Sequence, residues 1–115
     1  MLKKATLLIP LTFNDGSRIP KETLTAIEDE IYLEFKGWTI VGEVEGAYLM
    51  GQTGEKKVER LLHVWVVLEE AVIPTLRQMV ARFAATLGQE AMYFEIGNSL
   101  VEFLPPLSEE NESNE

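Results

Sequence analysis

The chain has 115 residues, 46% of them hydrophobic and 9% aromatic, which is enough for one modest core and one domain. It contains no cysteine, and this excludes disulfides, thiolate catalysis and cysteine-based metal sites. Net charge is −9, with four of the acids in the last nine residues, so a phosphate backbone would be repelled and direct nucleic-acid binding is not expected.

The first stretch, "KKATLLIPLTF" (residues 3–13), has a basic start and an apolar run like those of a secretory leader. Pro10 and Thr12 break that run, no small-residue cleavage site follows, and the residues alternate as in a strand. Ala5, Leu7, Ile9, Leu11 and Phe13 share one face, and Thr6, Leu8, Pro10 and Thr12 share the other. Pro10 cannot donate to a ladder, so an irregularity or strand end is expected there. "NDG" at 14–16 is a turn.

Pro20 suits the start of a helix in which Leu24, Ile27, Ile31 and Phe35 recur at helical spacing, with Gly37 as its stop. "WTIVGEVEGAYLM" and "KKVERLLHVWVVLEE" then read as two strands around a "GQTGEK" hairpin loop. Pro74 opens a second helix with Leu76, Met79, Val80, Phe83 and Leu87 as its buried stripe, and Gly88 caps it. "EAMYFEI" reads as a fourth strand, with Met92, Phe94 and Ile96 inward and Tyr93 and Glu95 outward. Gly97-Asn98 looks like a turn into a short fifth strand, "SLVEFL". Residues 1–104 are expected to form the domain, and residues 105–115 an acidic, disordered tail.

The order β-α-β-β-α-β is that of the α+β ferredoxin-like split βαβ fold. Its sheet has four antiparallel strands in order 4-1-3-2, and two right-handed crossovers put both helices on one face. The other face is left bare. In "LLHVWVV", Leu62, Val64 and Val66 belong under the helices, so His63, Trp65 and Val67 face away. A three-residue hairpin loop with Gly54 left-handed would pair Gly51 with Glu55, setting Glu43 opposite His63, Val41 opposite Trp65 and Glu45 opposite Leu61. Ile40, Gly42, Val44, Gly46 and Tyr48 would then lie under the helices. A two-residue loop would set Glu43 against Val64 and bury a carboxylate in the core, which is costly.

On this reading the bare face carries Glu43, Glu45, His63, Trp65, Tyr93 and Glu95 on an apolar floor that includes Val41, Val67 and Leu8. Such a patch marks an interface or ligand site. His63 beside Glu43 could serve as an acid-base pair, although a lone histidine without a nucleophile or cofactor motif reads more readily as part of an interface. Glu43, Glu45 and His63 have spacing compatible with a metal, but one imidazole with mobile carboxylates is non-specific, and neither a metal nor another cofactor is assigned. The glycines of residues 42–54 do not match a phosphate-binding loop. No segment reaches membrane-spanning length, and the absence of cysteine fits a cytoplasmic protein.

The succession "GWTIVGEVEGAY", "GEKKVERLLHVWVV" and "LGQEAMYFEI", residues 37–96, resembles a group of small bacterial proteins of ferredoxin-like type. The resemblance implies the fold and carries no catalytic residue across. Domains of this kind pair through the bare face into dimeric α+β barrels, which would make the chain a homodimer or other homo-oligomer.

Three functions fit these observations. The first is a homo-oligomeric module that binds a partner or small ligand through the bare face. The second is a cofactor-free enzyme of the α+β barrel kind, an isomerase or monooxygenase, using His63 and Glu43. The third is an acidic inhibitor or nucleic-acid charge mimic that occupies a basic protein.

Overall fold

The structure is a computed structural model, and it describes residues 1–49, 51 and 53–107. Five elements precede the last strand and its pairing: β1 (Leu2–Pro10), α1 (Lys21–Phe35), β2 (Thr39–Leu49), β3 (Lys56–Glu69) and α2 (Ile73–Thr86), which a single 3-10 turn, Glu70–Val72, joins to β3. The last strand, β4, is Phe94–Ile96. The sheet order is β2-β3-β1-β4 with all pairs antiparallel, the ferredoxin-like arrangement.

Alternation places the core. Ala5, Leu7 and Ile9 of β1 and Val64, Val66 and Leu68 of β3 are buried on one face. Ile27 and Ile31 of α1 and Leu76, Met79, Val80 and Phe83 of α2 cover them. These are the stripes that the 3.6-residue spacing foretells. Met92, Phe94 and Ile96 pack at the margin of the same cluster. An ion pair between Arg82 and Glu30 ties the two helices at their outer surface.

Three local features differ from expectation. The left-handed stop of α1 is Lys36 (φ 69°), whose N–H donates to the Tyr32 carbonyl at 2.8 Å, and Gly37 merely follows it. β4 has three residues in place of seven, because residues 88–93 are drawn toward α2 and the bare face. The expected fifth strand at residues 99–104 is absent. Gly97 still donates to Lys4 O and Lys3 Nζ to Asn98 O, but residues 99–104 pair with no strand, and Leu100, Phe103 and Leu104 are exposed. The acidic end expected to be disordered lies, from residue 108 onward, outside the described residues.

The central pairing bears on function. β1 and β3 set Thr6 opposite Trp65, Leu8 opposite His63 and Pro10 opposite Leu61. His63, Trp65 and Val67 therefore face away from the helices, as their alternation with buried Val64, Val66 and Leu68 requires. The β2–β3 register departs from the one expected. Gly54 is left-handed (φ 69°), as anticipated, but the last pair is Leu49 with Lys56, so the loop is longer than three residues; its Gln52 lies outside the described residues. A β-bulge then occurs between Ile40 and Gly42. Before it, Thr39 opposes Trp65 and Ile40 opposes Val64; after it, Gly42 opposes His63, Val44 opposes Leu61 and Gly46 opposes Glu59. One extra residue, Val41, exchanges the faces of everything downstream. Gly42 sits at φ 150°, a conformation other residues rarely adopt.

Candidate functional site

The bulge decides which side chains meet. Glu43 opposes Leu62 and Glu45 opposes Arg60, so both carboxylates lie on the helix side of the sheet, where both remain exposed. Glu43 Oε2 accepts from Arg60 Nε and Nη2 at 3.2 and 3.1 Å. The expected juxtaposition of Glu43 with His63 is therefore not made. His63 lies between Gly42 and Leu8, and Glu43 is across the sheet holding Arg60. Glu45 leaves the bare face for the same reason, and Val41, the bulge residue, projects from the edge, 57% exposed. No cluster of three or more His, Asp or Glu side chains gathers among the described residues.

Trp65, Val67, Tyr93 and Glu95 keep the placement read from the sequence. Trp65 and Val67 line a hollow of about 490 Å3 with Thr39 and the exposed Phe103, and Lys4 Nζ sits 5.6 Å from the Trp65 ring. Glu95 opposes Thr6. Tyr93 belongs to a different cavity at the far end of the bare face.

That second cavity holds about 450 Å3, a size suited to a small organic molecule. Leu8, Pro10 and Leu61 form its floor. Gly46 and Tyr48 of β2 form one wall, because the bulge turned them outward, and residues 89–93 form the other. A Cβ at Gly46 would stand 3.0 Å from Leu61 Cδ1, so glycine there leaves Leu61 its place in the floor. The rim is fastened from three sides. Asn14 Nδ2 donates to Gly88 O at 2.9 Å, and Asn14 Oδ1 accepts from Lys57 Nζ at 2.7 Å. Gln89 N donates to Ala84 O at 2.9 Å at the end of α2.

The cavity's distinctive group is Glu59. It is 8% exposed, and its Oε2 is sealed from water with no hydrogen-bond partner. Its nearest lysine by alternation, Lys57, is held by Asn14. Leaving such an acceptor unmade costs about 1–3 kcal/mol, and more when it is charged. Tyr48 lies against it. Burial first, then the charge and hydrogen bonding of Glu59, then the charge of Glu90, hold the Tyr48 phenol above its ordinary value of 10.0. Tyr48 is therefore a proton donor throughout the physiological range. A second carboxylate, Glu90, stands on the rim, while no lysine, arginine or histidine among the described residues lines the cavity.

Sequence reasoning missed Glu59, Tyr48 and the cavity. The signal for Glu59 was present: it is two and four residues from Leu61 and His63, so alternation alone puts it on the bare face. Tyr48 was misplaced by the bulge, for which the isolated Gly42 within a strand was the available sign. Gln89 and Glu90, just past the end of α2, are rim residues.

Comparison with known proteins gives the fold alone. No family profile matches the chain, and no curated protein matches it either. Among solved structures it is similar to a phage SAM lyase in complex with S-methyl-5'-thioadenosine, with TM-score 0.68 and 14% identity over 84% of this chain and 80% of that one. It is also similar to the divalent cation tolerance protein CutA1 of Thermus thermophilus, with TM-score 0.58 and 16% identity over 99% and 91% of the two chains. CutA1 of Oryza sativa has TM-score 0.58 and 14% identity over 83% and 76%. At these identities the architecture is shared and the chemistry is not thereby transferred. No helix among the described residues is long and apolar enough to cross a membrane.

Proposed function

We propose that this protein is a homo-oligomeric binding protein that takes a small organic molecule on the bare face of its sheet. The observation that carries this reading is the cavity of about 450 Å3 with buried Glu59 in its wall, whose Oε2 has no hydrogen-bond partner. Apolar floor with a few convergent polar groups is the usual make-up of a ligand site. A protein of the same architecture, the phage SAM lyase, was solved with S-methyl-5'-thioadenosine bound, so the fold accommodates ligands of nucleoside size.

The other end of the face supports self-association. Trp65 and Val67 border a hollow beside Phe103, which is 72% exposed, and Leu100 and Leu104 of the same segment are exposed as well. Exposed apolar area of that extent is normally covered. The two ends thus divide the work: ligand near Glu59, a second protomer near Trp65.

Both halves are tested together by sedimentation and by a fragment screen read through amide chemical shifts. Fragments should shift Gly46, Ala91 and Tyr93 as a group, and Trp65→Ala should reduce the oligomer while leaving that group's response in place. Fragment hits scattered over the surface, with no common set of shifted amides, would refute the ligand site.

A second reading, a cofactor-free enzyme, is favoured by one observation: Tyr48, a protonated donor, lies against a carboxylate inside a cavity. On this reading Tyr48 and Glu59 would carry the acid-base work. Turnover abolished by Tyr48→Phe with binding retained distinguishes it from simple binding.

A further inference from the structure

We infer that the ligand of the sheet-face cavity is an organic cation bearing N–H donors, an ammonium or amidinium group on an apolar body. This rests on the cavity being a ligand site and specifies what enters it. Four features select that class. Glu59 is more than nine-tenths buried, and its Oε2 has no partner. Glu90 adds a second negative charge at the rim, whose influence reaches Tyr48. No basic side chain among the described residues lines the cavity to balance them, since Lys57 is engaged by Asn14. Tyr48 and Tyr93 supply two aromatic rings, the surfaces on which cations rest.

These features exclude other classes. An anion would meet two carboxylates and no cation, and a neutral apolar ligand would leave the Glu59 acceptor sealed and unmade. A cation without N–H would answer the charge but not the missing hydrogen bond. An ammonium or amidinium answers both, through a charge-assisted bond to the carboxylate. Its apolar body then covers Leu8 and Leu61.

The test uses the full chain and two probes of the same shape, tryptamine and indole-3-propionate, followed by amide chemical shifts. Tryptamine is expected to shift Gly46, Ala91 and Tyr93 and to saturate; indole-3-propionate is expected to leave them unmoved. Glu59→Gln keeps the size of the side chain and should weaken tryptamine by about tenfold to a hundredfold, the span of a hydrogen bond to a charged group. Glu90→Gln should weaken it less. Circular dichroism confirms that the variants fold. If indole-3-propionate binds the cavity as tightly as tryptamine, or Glu59→Gln binds tryptamine within about twofold of the parent, the cationic assignment is overturned while the cavity stands as a ligand site. If neither probe moves those three amides at millimolar concentration, the ligand site and the assignment fall together.

Discussion

Replacing Glu59 with methionine should stabilise the protein. Methionine has nearly the same length, its flexible thioether adapts to the apolar neighbours Leu8 and Leu61, and it removes a carboxylate oxygen that is sealed from water and unpartnered. The recovered penalty is about 1–3 kcal/mol. Loss of the contact with the Tyr48 hydroxyl offsets part of it, by about 0.5–1.5 kcal/mol, and added apolar burial returns a similar amount. The net expectation is a gain of about 1–2 kcal/mol, or several °C in Tm for a domain of this size. Guanidinium denaturation with an unchanged slope measures it directly. Parent and variant must be compared at one protein concentration, because association contributes to apparent stability. A variant less stable than the parent by about 1 kcal/mol or more would refute the reasoning. It would mean that the carboxylate is already satisfied within the folded protein, and that its burial is structural.

Three further outcomes follow from the same geometry. In Glu59→Gln, the Tyr48 ionisation should fall back toward 10.0, part of the way only, because burial, the leading cause of its rise, remains; ring-carbon NMR over alkaline pH reads it against Tyr32 and Tyr93. Glu28 has its carboxyl pKa raised from 4.5, first by burial and then by Asp29. Its folded state holds the proton more tightly than the unfolded one, so its contribution to stability falls as pH rises above 4.5. Glu28→Gln should accordingly stabilise at neutral pH and have no effect below that window, as thermal unfolding across pH would show. Gly42→Ala places a side chain at φ 150° and should cost about 1–3 kcal/mol in chemical denaturation, with the β2 amides Val41–Val44 shifting most if the bulge relaxes.

Most of the fold could be read from the sequence. Both hydrophobic helix stripes, the four strands and their order were visible because each element buries one face, and a single buried face fixes periodicity. Val64 and Val66 against His63 and Trp65 oriented β3 without ambiguity. The failure was local but consequential. β2 has no long apolar stripe to anchor it; its glycines and glutamates leave alternation weakly specified, so its faces depended on a loop length and on a bulge. Val41 as the bulged residue carried no compositional sign of its own, and only Gly42 beside it did. That one residue moved Glu43 and Glu45 away from His63 and brought Tyr48 to Glu59. The segment before β4 formed no strand where expected; Gly88 and Gln89 at its start are held by α2 and Asn14, a tertiary constraint that β-propensity does not contain. The expected fifth strand does not form even though β4 leaves a free edge beside it.

The Oε2 of Glu59, buried and without a partner, is the atom to which a cationic group on the bare sheet face would bind. A crystal structure of the full chain with tryptamine tests it most directly. Density is expected in the cavity between Tyr48 and Tyr93, with the ammonium about 2.7–2.9 Å from Glu59 Oε2. An empty cavity in which a lysine or arginine of a second protomer reaches Glu59, or a bound tryptamine with its ammonium turned to solvent, would contradict it.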